Sequence, residues 1–179
     1  MFGPAIAAVE TNRATGARLD ATDVFRTIVA ALTKNRGVQL VLSVGDRTNP
    51  KDLGPVPKNT IIMQRTPQLQ LLKHASVCIT HSGLNKVLES LAQGVPQVSI
   101  PVTFGQPGVA ARIAHHKTGV VASSDKLTPE HLSDLLSQVL EDPSYRNNAR
   151  RMQMAISEGQ QVIGRSRPGR SGSAIGLKE

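Results

Sequence analysis

The densest chemistry in this 179-residue chain lies in Thr80-His81-Ser82-Gly83-Leu84-Asn85 and the residues just after it. A short glycine-containing turn between a strand and a helix offers unpaired backbone N–H groups and the positive end of the helix dipole to a phosphate. His81 and Asn85 add side-chain donors, and Lys86 adds a charge. Asn85 and Glu89 are four residues apart and so share one helical face. A carboxylate there can accept two hydrogen bonds from a vicinal diol such as a ribose. Taken singly, each residue also has a plain structural reading: Ser82 as a helix cap, Gly83 as a turn glycine, Glu89 as a solvated surface acid.

A turn of this kind needs a scaffold, and the surrounding pattern supplies one. Apolar spacing predicts helices over Asp20 to Asn35, Gln68 to His74, Leu84 to Gln93, Gly108 to His116, Pro129 to Leu140 and Ser144 to Glu158. Between them, Val38 to Val44, Ile61 to Met63, Ser76 to Thr80, Gln97 to Ile100 and Gly119 to Ala122 read as strands. These strands are short and lack polar alternation, as expected when both faces are covered. The alternation predicts an α/β fold, a Rossmann-like parallel sheet flanked by helices with right-handed crossovers. Residues 1–20 show no clear period and are expected to be irregular; 159–179 read as a flexible basic tail. Ligands of such sheets bind beyond the carboxyl ends of strands, near a topological switch point. That directs attention to the loops after Thr80 and after Ile100.

Composition closes off several classes. One Cys excludes an intramolecular disulfide and a Cys-based zinc site. No apolar run approaches the roughly 20 residues that span a bilayer. Met1 to Val9 lacks a basic flank and contains Gly3-Pro4, unlike a signal peptide, so a cytoplasmic location is expected. The formal charge is +8, of which +5 falls from Arg146 onward. That stretch has Tyr145 as its only aromatic neighbour, so no stacking platform for bases is expected and no specific nucleic-acid partner. A solvated basic end fits the pattern, with weak nonspecific contact to RNA or to an anionic surface, including peripheral contact to a membrane, as the sharper alternative.

Other reactive residues read as structural. His115 and His116 are adjacent and point to different helix faces, so they do not form an i,i+4 metal pair, and no metal site is expected. His131 lies on an ordinary amphipathic helix, His74 at a helix end, and Cys78 between Val77 and Ile79 as a buried small hydrophobe. No Asp pairs obviously with His81 and Ser82, which argues against a hydrolase triad. Asp46 and Asp52 fall in a loop without an assignable role.

The constellation Arg65-Thr66-Pro67-Gln68, His74, Thr80 to Lys86, Glu89, Gly94-Val95-Pro96, Pro101 and Gln106-Pro107 resembles the signature segment of UDP-glycosyltransferases. Leu84-Asn85, Ser90 to Pro96 and Gln106 to Ala114 resemble the bacterial branch, which includes macrolide and zeaxanthin (carotenoid) glycosyltransferases. The resemblance is strongest over 63–122 and extends from Asp23 to about Ala155. It implies the C-terminal, nucleotide-sugar-binding half of a GT-B fold, over 21–158. On that basis Thr66, Pro67 and Gln68 lie by the uracil, and His81 faces the β-phosphate and stabilises the departing UDP. Gly83, Asn85 and Lys86 lie near the α-phosphate, with Ser82 in the same donor-binding loop. Glu89 then meets the ribose hydroxyls and Gln106 the sugar. The implied chemistry is inverting transfer of a hexose, glucose by the leaning of Gln106, to a small lipophilic acceptor. It needs no metal and no cofactor beyond the UDP-sugar donor.

The chain departs from that pattern at named positions. Arg65 stands where the family often has an aromatic residue, Lys86 replaces a small hydroxyl residue, and Gly105 replaces an Asp that holds sugar hydroxyls. The family's first donor-domain strand and its Ser/Thr-Gly loop are not recognisable in 1–20, and the acceptor domain with the usual base is not expected among these 179 residues. The expectation is a donor-binding domain that works with an N-terminal partner domain or subunit. The alternatives are a noncatalytic or remnant UDP-sugar-binding module and the donor subunit of a split N-acetylglucosaminyltransferase.

Overall fold

A computed structural model describes residues 5–10, 21–34, 37–46, 48–102, 105–123 and 126–165. Six parallel strands form one sheet in the order β3-β2-β1-β4-β5-β6. They are β1 (Ala5–Glu10), β2 (Val38–Ser43), β3 (Thr60–Met63), β4 (Val77–Thr80), β5 (Gln97–Ser99) and β6 (Gly119–Val121). The helices are α1 (Ala21–Lys34), α2 (Gln68–Leu72), α3 (Leu84–Ala92), α4 (Gln106–His115), α5 (Pro129–Glu141) and α6 (Pro143–Arg165), with a 3₁₀ turn over Pro50–Leu53. The α/β expectation holds. Two terminal expectations need correction: residues 5–10 are a strand rather than irregular chain, and α6 continues to Arg165 instead of ending at Glu158. Residues 11–20 and 166–179 lie outside the described residues.

β1 is central. Ala5 to Glu10 pair in register with Val38 to Ser43 on one side, and Ala7 to Glu10 with Val77 to Thr80 on the other. Its sequence, Ala-Ile-Ala-Ala-Val-Glu, carries little intrinsic strand preference because alanine is depleted in strands. Two flanking ladders supply what propensity does not. The chain order reverses between β1 and β4, which makes the crevice beyond their carboxyl ends the switch point of the sheet.

The main core lies where α1 and α5 pack on one face. Phe25, Ile28 and Leu32 of α1 meet Leu132, Leu136 and Val139 of α5 over Leu40, Leu42, Val77 and Ile79 of the sheet. A smaller cluster joins Val87 and Leu91 of α3 to Ile113 of α4 and Ala149 of α6. The central strands are buried on both faces, and β3 alternates at the edge, exposing Ile61 and Met63.

Candidate functional site

In-register pairing aligns Glu10, Ser43, Met63, Thr80, Ser99 and Val121 at one end of the sheet, so the loops that follow them open on the same side. The β4–α3 turn is the tightest of these. The Thr80 hydroxyl accepts from the Ser82 backbone N–H at 3.2 Å. Ser82 is fully buried in the left-handed region at φ +67°, and its hydroxyl pairs with that of Ser99 at the end of β5. Ser82 therefore does not cap α3. The N-cap is Gly83, which makes no side-chain hydrogen bond, so no side chain competes for the first-turn N–H groups.

Gly83 has a second use. A Cβ built on it would lie 2.7 Å from Nε2 of His81, so the absence of a side chain lets the imidazole settle over the turn. His81 is half-buried with Nδ1 turned inward, and its position is set by the turn it belongs to. On α3, Asn85 is exposed and Glu89, one turn further along the same face, is half-buried. Lys86 lies between the two elements that flank the crevice. Its ammonium donates to Gln68 Oε1 at the start of α2 and sits 3.5 Å from Glu89 Oε2.

The loop after β3 brings Thr66, Pro67 and Gln68 to the same end. Pro67 is exposed, Thr66 half-buried, and Thr66 Oγ1 is buried with no hydrogen-bond partner among the described residues. Arg65 forms a two-point pair with Asp46 in the loop after β2, with Nε donating to Oδ1 at 3.1 Å and a terminal nitrogen to Oδ2. Those hydrogen bonds hold the Asp46 carboxyl below the usual carboxylate range and push the Arg65 guanidinium up. Asp46 was without a role in the sequence. Its place just past the carboxyl end of β2 is the signal that marks it.

Gln106 opens α4 and its Oε1 accepts the Val102 N–H at 2.7 Å, which folds the side-chain oxygen into the β5–α4 loop. Gly105 precedes it at φ +86°, a conformation that L side chains rarely adopt. An Asp here, as the family resemblance expects, would be strained in this backbone conformation. His115, His116 and His131 are exposed on α4, its end and α5, and Cys78 is buried in β4. Two surface grooves, about 400 Å³ beside Lys117 and Tyr145 and about 500 Å³ beside Gln93 and Met154, include none of the expected site residues. Among the described residues no helix is long and apolar enough to cross a membrane.

Comparison with known proteins agrees with the α/β fold. The family model "UDP-glucoronosyl and UDP-glucosyl transferase" matches residues 20–161. NDP-glycosyltransferase YjiC of Bacillus subtilis is 32% identical over 120 residues, 67% of this chain and 31% of that protein. Demethyllactenocin mycarosyltransferase of Streptomyces fradiae is 32% identical over 133 residues, 74% of this chain and 29% of that protein. The crystal structure of CalG4, the calicheamicin glycosyltransferase, superposes with a TM-score of 0.75 at 27% identity, covering 93% of this chain and 45% of that one. The chain thus spans about a third of the length of these curated relatives.

Proposed function

Because the chain belongs to the UDP-glucoronosyl and UDP-glucosyl transferase family, we propose that it is the donor-binding half of a UDP-sugar glycosyltransferase. The observation that carries this reading is the β4–α3 turn at the switch point. There a buried Ser82, a glycine N-cap and the His81 imidazole leave the first turn of α3 open to an anion, with Glu89 one turn further along. In the reaction, an acceptor hydroxyl attacks the anomeric carbon of the sugar as the bond to the β-phosphate oxygen breaks, with inversion. Charge grows on the departing UDP, and donors fixed in advance near that charge lower the barrier. His81 and the N-terminus of α3 are those donors. Thr66, Pro67 and Gln68 bound the uracil side, and Glu89 takes the ribose diol. The acceptor, taken as small and lipophilic, and the base that activates it belong to an N-terminal half. Leu84 and Leu88, exposed four residues apart on α3, support a second surface closing over this end. The transferred sugar is taken as a hexose, glucose in the first instance, and no metal or further cofactor is required.

The test is calorimetric titration of UDP into the chain. A dissociation constant between ~1 μM and ~1 mM, about 8 to 4 kcal/mol, is expected. Glu89→Ala should weaken it by about 1–3 kcal/mol through the lost hydrogen bonds to the diol. Absence of UDP binding by the folded chain at millimolar ligand would sink the reading.

A noncatalytic UDP-binding module is the second reading, favoured by Gly105 and by the engagement of Gln106 within its own loop. It predicts that UDP-glucose binds no more tightly than UDP. A donor half that reads the sugar requires the opposite order.

A further inference from the structure

Lys86 occupies the third position of α3, where a cation is disfavoured by the positive end of the helix dipole. No acidic residue lies in that first turn to offset it. The compensation comes from the next turn, Glu89 at 3.5 Å, and from the Gln68 carbonyl oxygen across the crevice. Both ionic side chains are only about a third exposed, at 29% and 35%, so the pair is partly sheltered from solvent screening. The carboxylate assigned to the ribose is therefore engaged by a cation from the chain itself. Glu89 Oε2 is buried and makes no hydrogen bond, its contact with Lys86 being ionic at 3.5 Å.

A ribose-binding carboxylate and a diphosphate in one site repel each other, and a cation between them relieves that repulsion. We infer that Lys86 selects for nucleoside diphosphates by exchanging partners. In the arrangement seen here its ammonium masks Glu89. A diphosphate at the N-terminus of α3 draws it forward, and the released carboxylate accepts the ribose diol. The flexible four-carbon stem of lysine permits the move, which a small hydroxyl residue at this position could not make. Diphosphate and nucleoside then bind with positive coupling, and a nucleoside alone pays for displacing Lys86. This inference rests on the donor-site reading above.

The experiment titrates uridine, UMP and UDP into the full chain and into Lys86→Ser and Lys86→Gln, with thermal unfolding of each protein confirming the fold. Lys86→Ser is expected to weaken UDP about tenfold and to strengthen uridine severalfold, so that the UDP preference falls by more than tenfold. Lys86→Gln, which keeps most of the length and a donor for Gln68 but no charge, should show the same loss of preference. UMP should fall between uridine and UDP in the parent chain. If the parent binds UDP and the substitutions leave the preference unchanged or tighten UDP, Lys86 is a static brace and the inference is overturned while the donor site stands. Retention of the preference by Lys86→Gln overturns the role of the charge. If neither uridine nor UDP binds the parent chain, the donor-site reading fails and the inference with it.

Discussion

At the scale of single residues, the site depends on side chains that are missing as much as on those present. Gly83 has φ −64°, an ordinary value for any L residue, so alanine there meets no backbone strain. Its Cβ meets the His81 ring instead, at 2.7 Å from Nε2. Gly83→Ala should leave the melting temperature nearly unchanged and weaken UDP binding by about tenfold, because only the imidazole has to move. In a His81→Ala background the same substitution should cost nothing further, a non-additivity that a double-mutant cycle measures directly. Equal losses in both backgrounds would mean that Gly83 acts on the phosphate loop and not through His81. The Asp46–Arg65 pair makes a pH prediction of definite sign. Arg65 holds the Asp46 carboxyl below the usual range, so the pair contributes above the unfolded-state value near ~3.9 and is lost as pH falls through the lower folded value. NMR titration of the Asp46 carboxyl should show a depressed midpoint that returns to the ordinary range in Arg65→Ala. Both side chains are largely solvent-exposed, so the effect on overall stability is small.

At the scale of elements, α6 does more than carry basic charge. An Arg146 terminal nitrogen donates to the Ala75 carbonyl at 3.4 Å and to that of Ser76, tying α6 to the loop that leads into β4. Burial lowers the pKa of this guanidinium, with Arg150 nearby as a lesser cause. The basic run was therefore not wholly a solvated end. Arg146→Ala should destabilise the chain by about 1–3 kcal/mol, since it leaves carbonyls without their donor, whereas Arg151→Ala on the exposed face should change little. Chemical denaturation of the two variants checks the contrast; equal effects would place the role of Arg146 in net charge alone. The same helix shows why parts of the fold were not legible in the sequence. Gly159 reads as a terminator, yet one glycine costs a helix only about 1 kcal/mol, less than a continuing helix can absorb. Strands β2 and β4 were legible as short runs dominated by Val, Leu, Ile and Cys. By contrast β5, whose Gln97 and Ser99 are buried beside Val98, was legible from its place in the strand–helix alternation. β1 was not, since its alanines register only through their partners on β2 and β4. Within the site, the strand–turn–helix setting of His81 to Glu89 was legible from local spacing, while the roles expected of those residues came from the resemblance. The pairs Ser82 with Ser99, Arg65 with Asp46 and Lys86 with Gln68 join residues 17 to 19 apart, and only the closed sheet brings them together.

At the scale of the whole molecule, the main core lies apart from the proposed donor site. The large core lies under α1 and α5, whereas the β4–α3 turn and the N-termini of α2 and α3 sit over the end of the sheet. Leu136, fully buried on α5, belongs to that core. Leu136→Ala should cost about 2–5 kcal/mol through lost burial and the cavity left behind. For a chain of this length that lowers the melting temperature by on the order of 10 °C. If the two regions are energetically independent, UDP at a hundred times its dissociation constant should stabilise parent and variant by the same amount, about 2.7 kcal/mol. Glu89→Ala should show the mirror image, with only a small loss of melting temperature in buffer because Gln68 still holds Lys86, and a smaller gain at the same UDP concentration. A gain from UDP that shrinks in Leu136→Ala at the same UDP concentration would mean that packing on the α5 face sets the geometry of the turn beyond β4. In that case the sheet transmits strain from one layer to the other, and core substitutions in this chain could not be read as stability changes alone.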